Sequence, residues 1–172
     1  MSTVRLPLKN RLARLFIPAK LPHHIGAIWP EGPIPVFIQA REFAPEIQIA
    51  MHLWNASLRP FKRFFRAATK PPFPVRIAND GTQHYADVQV YTSGHRINGA
   101  YMRINRERMA PLPQTRRQTI FEHELGHVLG FLHHDGPEPS VTHTKLPPHI
   151  PGITEFDRAS IRTIYAPPIL KR

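Results

Sequence analysis

The chain contains no cysteine. Disulfides and thiolate metal ligands are therefore excluded, and redox chemistry gives no clue to the compartment. Long hydrophobic runs are missing as well. No stretch approaches the roughly 18–20 consecutive apolar residues of a membrane-spanning helix, and none is expected. Acidic residues are scarce, 12 against 23 lysines and arginines, which leaves a formal charge of +11 and a pI near 10.9. Such a balance implies attraction to acidic peptides, nucleic acid or an anionic membrane surface, without choosing among them. Methionine occurs four times and never after Met109. Proline is abundant, 20 among 172 residues, so short elements joined by extended connections are expected in what should be one domain.

Residues 119–135, TIFEHELGHVLGFLHHD, hold the chemistry. His123 and His127 stand four apart, so on a helix they share a face, with Cβ atoms roughly 5–6 Å apart. Both imidazoles then reach a single Zn²⁺. Glu124 lies about 100° round the helix from His123 and about 60° from His127, near the metal and offset from its ligands. It suits a general base. An unbroken helix would carry His133 about 9 Å past His127 and about 240° round the axis. Gly130 lies between them and permits a left-handed turn that brings the chain back, making His133 the third ligand. Three protein nitrogens leave one corner of a tetrahedral site open, the mark of a catalytic zinc. Phe121, Leu125, Val128 and Leu129 fall on the opposite arc, as a buried stripe.

The run H-E-L-G-H-V-L-G-F-L-H at 123–133 resembles the H-E-x-x-H-x-x-G-x-x-H signature of the metzincin metalloproteases, and Asp135 and later stretches are most similar to the matrixin branch. The resemblance implies an α+β catalytic domain in which a small twisted mixed sheet packs on a long helix and the zinc helix, followed by a C-terminal helix. It extends over residues 30–165 and implies a zinc endopeptidase: His123, His127 and His133 hold one Zn²⁺, and Glu124 is the base for metal-activated water. Thr142 stands where the family's Met-turn methionine is expected, and Thr144 where some members carry a tyrosine ligand. Segment 145–152, KLPPHIPG, matches the wall of the pocket after the scissile bond, which makes Thr142, His143, Leu146 and Pro147 candidate substrate-pocket residues. The stretch between the second and third of the later strands looks trimmed, which removes the ground for structural calcium and for the family's edge strand. A cysteine-based latency cap has no residue to form it. The alternative reading is a non-proteolytic metal-binding domain, or a basic domain for nucleic acid or membrane surfaces, on the same fold.

Elsewhere, residues 1–24 form a basic arm in which Leu8, Leu12, Leu15 and Phe16 oppose Arg5, Lys9, Arg11 and Arg14 at helical spacing. The arm is a docking or pro-segment, or simply a tail; its basic residues interrupt any signal-peptide core, so a cytoplasmic setting is the default although the resembled family is usually secreted. The domain occupies 25–168 and 169–172 are a tail. Residues 34–39 should be a strand, Pro45 to Pro60 a core helix with Ile47, Ala50, Met51, Trp54 and Leu58 buried and His52 exposed. Segment 61–70, FKRFFRAATK, mixes cations and aromatics as nucleic-acid-binding surfaces do, but a helix with phenylalanines inward is the favoured reading. Strands follow at 75–78, 86–91 and 100–105, and the zinc helix starts near 114–116 with Arg116 and Arg117 solvated. His134, His143 and His149 are expected at the surface. Thr154 and Asp157 form a capping box for a last helix with Phe156, Ile161, Ile164 and Tyr165 inward. A peptide substrate, a monomer and a single zinc complete the expectation.

Overall fold

The computed structural model describes residues 24–70, 72, 74–133, 135–136, 139–144 and 152–165. The basic arm up to residue 23, the wall segment with Leu146, Pro147 and His149, His134 and the tail lie outside them. Strand β1 (Gly32–Ile38) alternates Ile34 and Val36 inward with Pro33 and Pro35 outward. Proline is tolerated there because the N–H it lacks would point to the β3 side, and β3 pairs with β1 only from Val36 onward. Helix α1 (Ala44–Leu58) carries Pro45 in its first turn and buries Ile47, Ala50, Met51, Trp54 and Leu58, with His52 exposed.

After α1 the chain departs from the expected helix. A short turn at Arg59–Phe61 ends at Lys62, whose φ of 54° is left-handed, and β2 (Arg63–Ala67) follows. Burial alternates: Arg63 and Phe65 face in, Phe64 and Arg66 face out. In so short a run a helical and a two-residue period fit nearly the same letters, and pairing with β1 from Gly32↔Arg63 to Val36↔Ala67 decides between them. Asn55 of α1 completes the exposed edge, giving its Nδ2 proton to Phe65 O at 2.8 Å and accepting from Phe65 N at 2.6 Å. That side chain occupies backbone groups that would otherwise invite another strand.

Strands β3 (Val75–Ala78), β4 (Ala86–Ser93) and β5 (Arg96–Ile104) complete a sheet of order β2-β1-β3-β5-β4. All neighbours are parallel except β4, which runs antiparallel to β5 at the edge. The stretch that looks trimmed, 94–102, is a short turn and most of β5, and the strand left at the sheet edge is β4, the expected strand at 86–91 extended by two residues. A short helix α2 (Arg106–Met109), capped by Asn105, leads to the zinc-motif helix α3 (Gln114–Val128), and α4 (Glu155–Tyr165) closes the fold. Helices α1 and α3 cover one face of the sheet over Ile34, Val36, Val75, Ile77 and Met102, all buried. No helix among the described residues is long and apolar enough to cross a membrane.

Arg117, expected in solvent, is instead part of the join between α1 and α3. It donates to Glu46 at 2.6 and 2.8 Å and to Leu112 O at 2.6 Å, while Glu46 is only 2% exposed. A helical wheel cannot reveal that the neighbouring helix offers a buried carboxylate at that height. Removing one partner strands the other's charge, so Arg117→Met should destabilise the fold by about 3 kcal/mol in urea melts, and a Glu46→Leu/Arg117→Met double variant should recover most of the loss.

Candidate metal centre

Helix α3 is built to end where it does. Trp54 and Thr142 press against its middle, and a Cβ on Gly126 would sit 2.6 Å from Thr142 Cγ2 and 3.2 Å from the Trp54 ring. Four residues later Gly130 takes φ 94°, and the bonds Gly130 N→His127 O (2.9 Å) and Phe131 N→Gly126 O (3.1 Å) form the paired closure of a Schellman turn. The remaining carbonyls at the helix end find side-chain donors: Val128 O takes the Trp29 indole N–H at 2.8 Å and Leu129 O the Tyr165 hydroxyl at 2.9 Å. Those bonds hold the turn from the core side. Past it, His133 swings back over the helix.

The three histidines converge. Their ring centroids lie 4.5 Å (123 to 127), 4.7 Å (127 to 133) and 5.4 Å (123 to 133) apart, and one ligand nitrogen from each falls within 4.8 Å of the others. Orientation comes from the backbone. His123 Nδ1 is 2.8 Å from Val141 O and His127 Nδ1 is 2.7 Å from Phe131 O. A carbonyl only accepts, so both Nδ1 atoms carry protons and both Nε2 atoms present lone pairs. Those two Nε2 atoms face each other at 2.9 Å. Two neutral rings in these tautomers share no hydrogen bond there, and their lone pairs repel unless a cation lies between them. The residues present thus fit a zinc ion by their donor chemistry. Burial, the largest cause in each case, pushes His123 down to about 3 and His127 down to about 4, so both stay in the neutral, ligating form at ordinary pH.

Glu124 is 6% exposed, and its Oε2 has no hydrogen-bond partner. Burial, with a smaller contribution from the charge of Asp87, lifts its carboxyl to about 8. It borders a cavity of about 880 Å³ between α3 and β4, along with the three histidines, Ile120, Arg116, Val88 and Val90. Arg116 is therefore half-buried at the cavity wall rather than solvated.

Thr142 is not among the cavity residues. It is 1% exposed and lies beneath α3 against Gly126, so its place as a substrate-pocket residue is withdrawn, as is that of the half-buried His143; Thr144 lines the cavity instead. Its position under the helix is where the resemblance set the Met-turn. That turn hangs from α4. Asp157 accepts from Ser140 Oγ at 2.6 Å, Val141 N at 3.1 Å, Thr154 N at 2.9 Å and Thr154 Oγ1 at 2.7 Å, and through Val141 it fixes the carbonyl that orients His123. The sequence signal for Asp157 was the capping box alone, which the structure contains; its grip on residues 140 and 141 has no local signature.

No protein-family model matches the chain, and no curated protein matches it. Among solved structures, the chain is similar to high choriolytic enzyme 1, a hatching-enzyme zinc protease from Oryzias latipes (medaka fish), with a TM-score of 0.53 at 18% identity over 81% of this chain and 94% of that one. The fold is that of a metzincin-like catalytic domain. A looser alignment, to the GM1-bound form of the ECX AB5 holotoxin, has a TM-score of 0.46 at 13% identity over 81% of this chain and 76% of that one, and adds nothing to the metzincin-like assignment.

The buried groups of this site set a pH profile for the zinc-free protein. Glu124, held up at about 8, keeps a proton that the unfolded chain has lost above its ordinary 4.5. The stability this gives is complete at low pH and disappears as pH rises through about 8. His123 and His127 act oppositely, refusing protons that the unfolded chain accepts below 6.5, so stability also falls on acidification from there. Zinc-free protein should be most stable between these limbs. Glu124→Gln should flatten the alkaline limb by about 1.4 kcal/mol between pH ~7 and pH ~9, measured by chemical denaturation in chelator.

Proposed function

We propose that the protein is a zinc-dependent endopeptidase of the matrixin-like kind. The observation that carries this reading is the pair of facing Nε2 lone pairs, 2.9 Å apart, beside an unpartnered buried carboxylate in an open cleft. His123, His127 and His133 would hold the ion. Zinc bound there supplies Lewis acidity, polarising a peptide carbonyl and acidifying the attacking water.

The chain's own residues do the rest. Glu124 takes the proton from the water as its oxygen attacks the carbonyl carbon, then delivers that proton to the departing amide nitrogen as the C–N bond breaks. The outer edge of β4, free of any strand partner within the sheet, offers backbone groups along the cleft for an extended substrate to join by strand addition. Ile120 gives the cleft an apolar wall and Arg116 a cationic one. Asp87, the nearby acid, is neutralised by Arg103 at 2.8 Å.

Glu124→Ala should retain one zinc per chain and lose about 10³-fold or more in cleavage of unfolded casein, whereas His123→Ala should lose the metal; zinc analysis beside a digest with and without chelator checks both. An absence of chelator-sensitive cleavage in the wild-type protein would favour the metal-binding alternative. In a peptide-library digest, Arg116→Glu should reverse a roughly tenfold preference for acidic over basic side chains at one substrate position.

A further inference from the structure

The face of the sheet turned away from the helices carries a second set of chemistry. Register places Phe64 and Arg66 of β2, Arg76 of β3, Tyr101 of β5 and Tyr91 of β4 on that side. Phe64 is 41% and Tyr91 47% exposed, large aromatic rings that no helix among the described residues covers. The guanidinium of Arg76 lies over the Tyr101 ring, 5.2 Å from its centroid, steadied by Gln39 Oε1 at 2.7 Å. A groove of about 420 Å³ runs between Arg76, Tyr91, Asn98 and Tyr101. The Tyr101 hydroxyl is shielded from solvent and has no hydrogen-bond partner among the described residues. Asp87 is the one acid that the strands present on this face, and Arg103 neutralises it.

We propose that this face binds single-stranded nucleic acid. Bases offer flat π faces and phosphates offer charge, and the surface offers the complement of both: exposed rings for stacking, interleaved with arginines that take phosphate oxygens two at a time. An acidic peptide would use the arginines but has no use for the rings. A duplex hides its base faces, and among the described residues no helix lies on this face to enter a groove. From β2 to β4 the sheet spans four strand spacings, about 19 Å, enough for a short site of about four nucleotides. The overall charge of +11 adds a favourable encounter term. The segment 61–70 thus has the mixed composition of a nucleic-acid surface because two of its side chains, Phe64 and Arg66, face outward on this one.

The test is fluorescence anisotropy of the full chain with a labelled 15-residue oligo(dT), repeated with one 2-aminopurine in the strand. Binding should weaken with salt, and Arg66→Gln/Arg76→Gln should lower the logarithmic salt slope by about 1.4, or 0.7 per cation. Tyr91→Ala should weaken binding about tenfold, leave the salt slope unchanged and restore the quenched 2-aminopurine fluorescence. Tyr101→Phe, which preserves the ring, should keep that quenching, and unchanged melting curves show that the variants fold. The proposal is overturned if polyglutamate or duplex competes as well as the oligonucleotide, or if Tyr91→Ala binds like wild type. It is equally overturned if affinity follows Arg5, Lys9, Arg11, Arg14 and Lys20 when those are changed to glutamine, with the sheet variants unaffected. Arg66→Gln/Arg76→Gln, on strands away from the cleft, should leave peptide cleavage untouched.

Discussion

Two hydrogen bonds from ring nitrogens to main-chain carbonyls govern the rest of this molecule: His123 Nδ1 to Val141 O and His127 Nδ1 to Phe131 O. Each fixes a tautomer and a ring plane, and together they aim two lone pairs at one point. Without them a pair of histidines on a helix is only a pair of histidines. Both carbonyls lie outside the helix, so the turn after Gly130 and the turn at 140–143 must be held in place before the site exists. The first is held by its own Schellman bonds and by Trp29 and Tyr165, the second by Asp157. The C-terminal helix and the segment before β1 are thereby part of the metal centre, though neither supplies a ligand.

The sheet sets where that centre opens. Four parallel strands give a rigid floor for α1 and α3, and the single antiparallel strand, β4, brings its edge alongside α3. A cleft between a strand edge and a helix has backbone hydrogen-bonding groups on one wall and the reactive side chains on the other. Burial does the electrostatic work: the same exclusion of water keeps His123 and His127 neutral and Glu124 reluctant to ionise. On the opposite face of the sheet no helix among the described residues gives such cover, and Phe64, Arg66 and Tyr91 are exposed.

What was legible in the chain followed from local rules. The spacing of His123, His127, Gly130 and His133 needs only helix geometry and one left-handed residue, and the structure brings those rings together. The α+β architecture, the α1 stripe and the Thr154–Asp157 cap are local in the same way. The misreadings all depend on distant partners. Residues 61–70 fit two periods until β1 offers a ladder, Arg117 looks exposed until Glu46 appears across the helix interface, and Thr142 looks like pocket wall until Gly126 leaves a hollow above it. Asp157 was seen as a cap and missed as an anchor, because the residues that it anchors lie 16 and 17 positions away.

The most direct test of the central claim is X-ray absorption at the zinc edge on protein loaded with one zinc per chain. Three imidazole nitrogens at about 2.0–2.1 Å, falling to two in a His133→Ala variant, are the result that this arrangement predicts. A spectrum with two imidazoles or fewer in the intact chain, or one unaltered by the loss of His133, would contradict it.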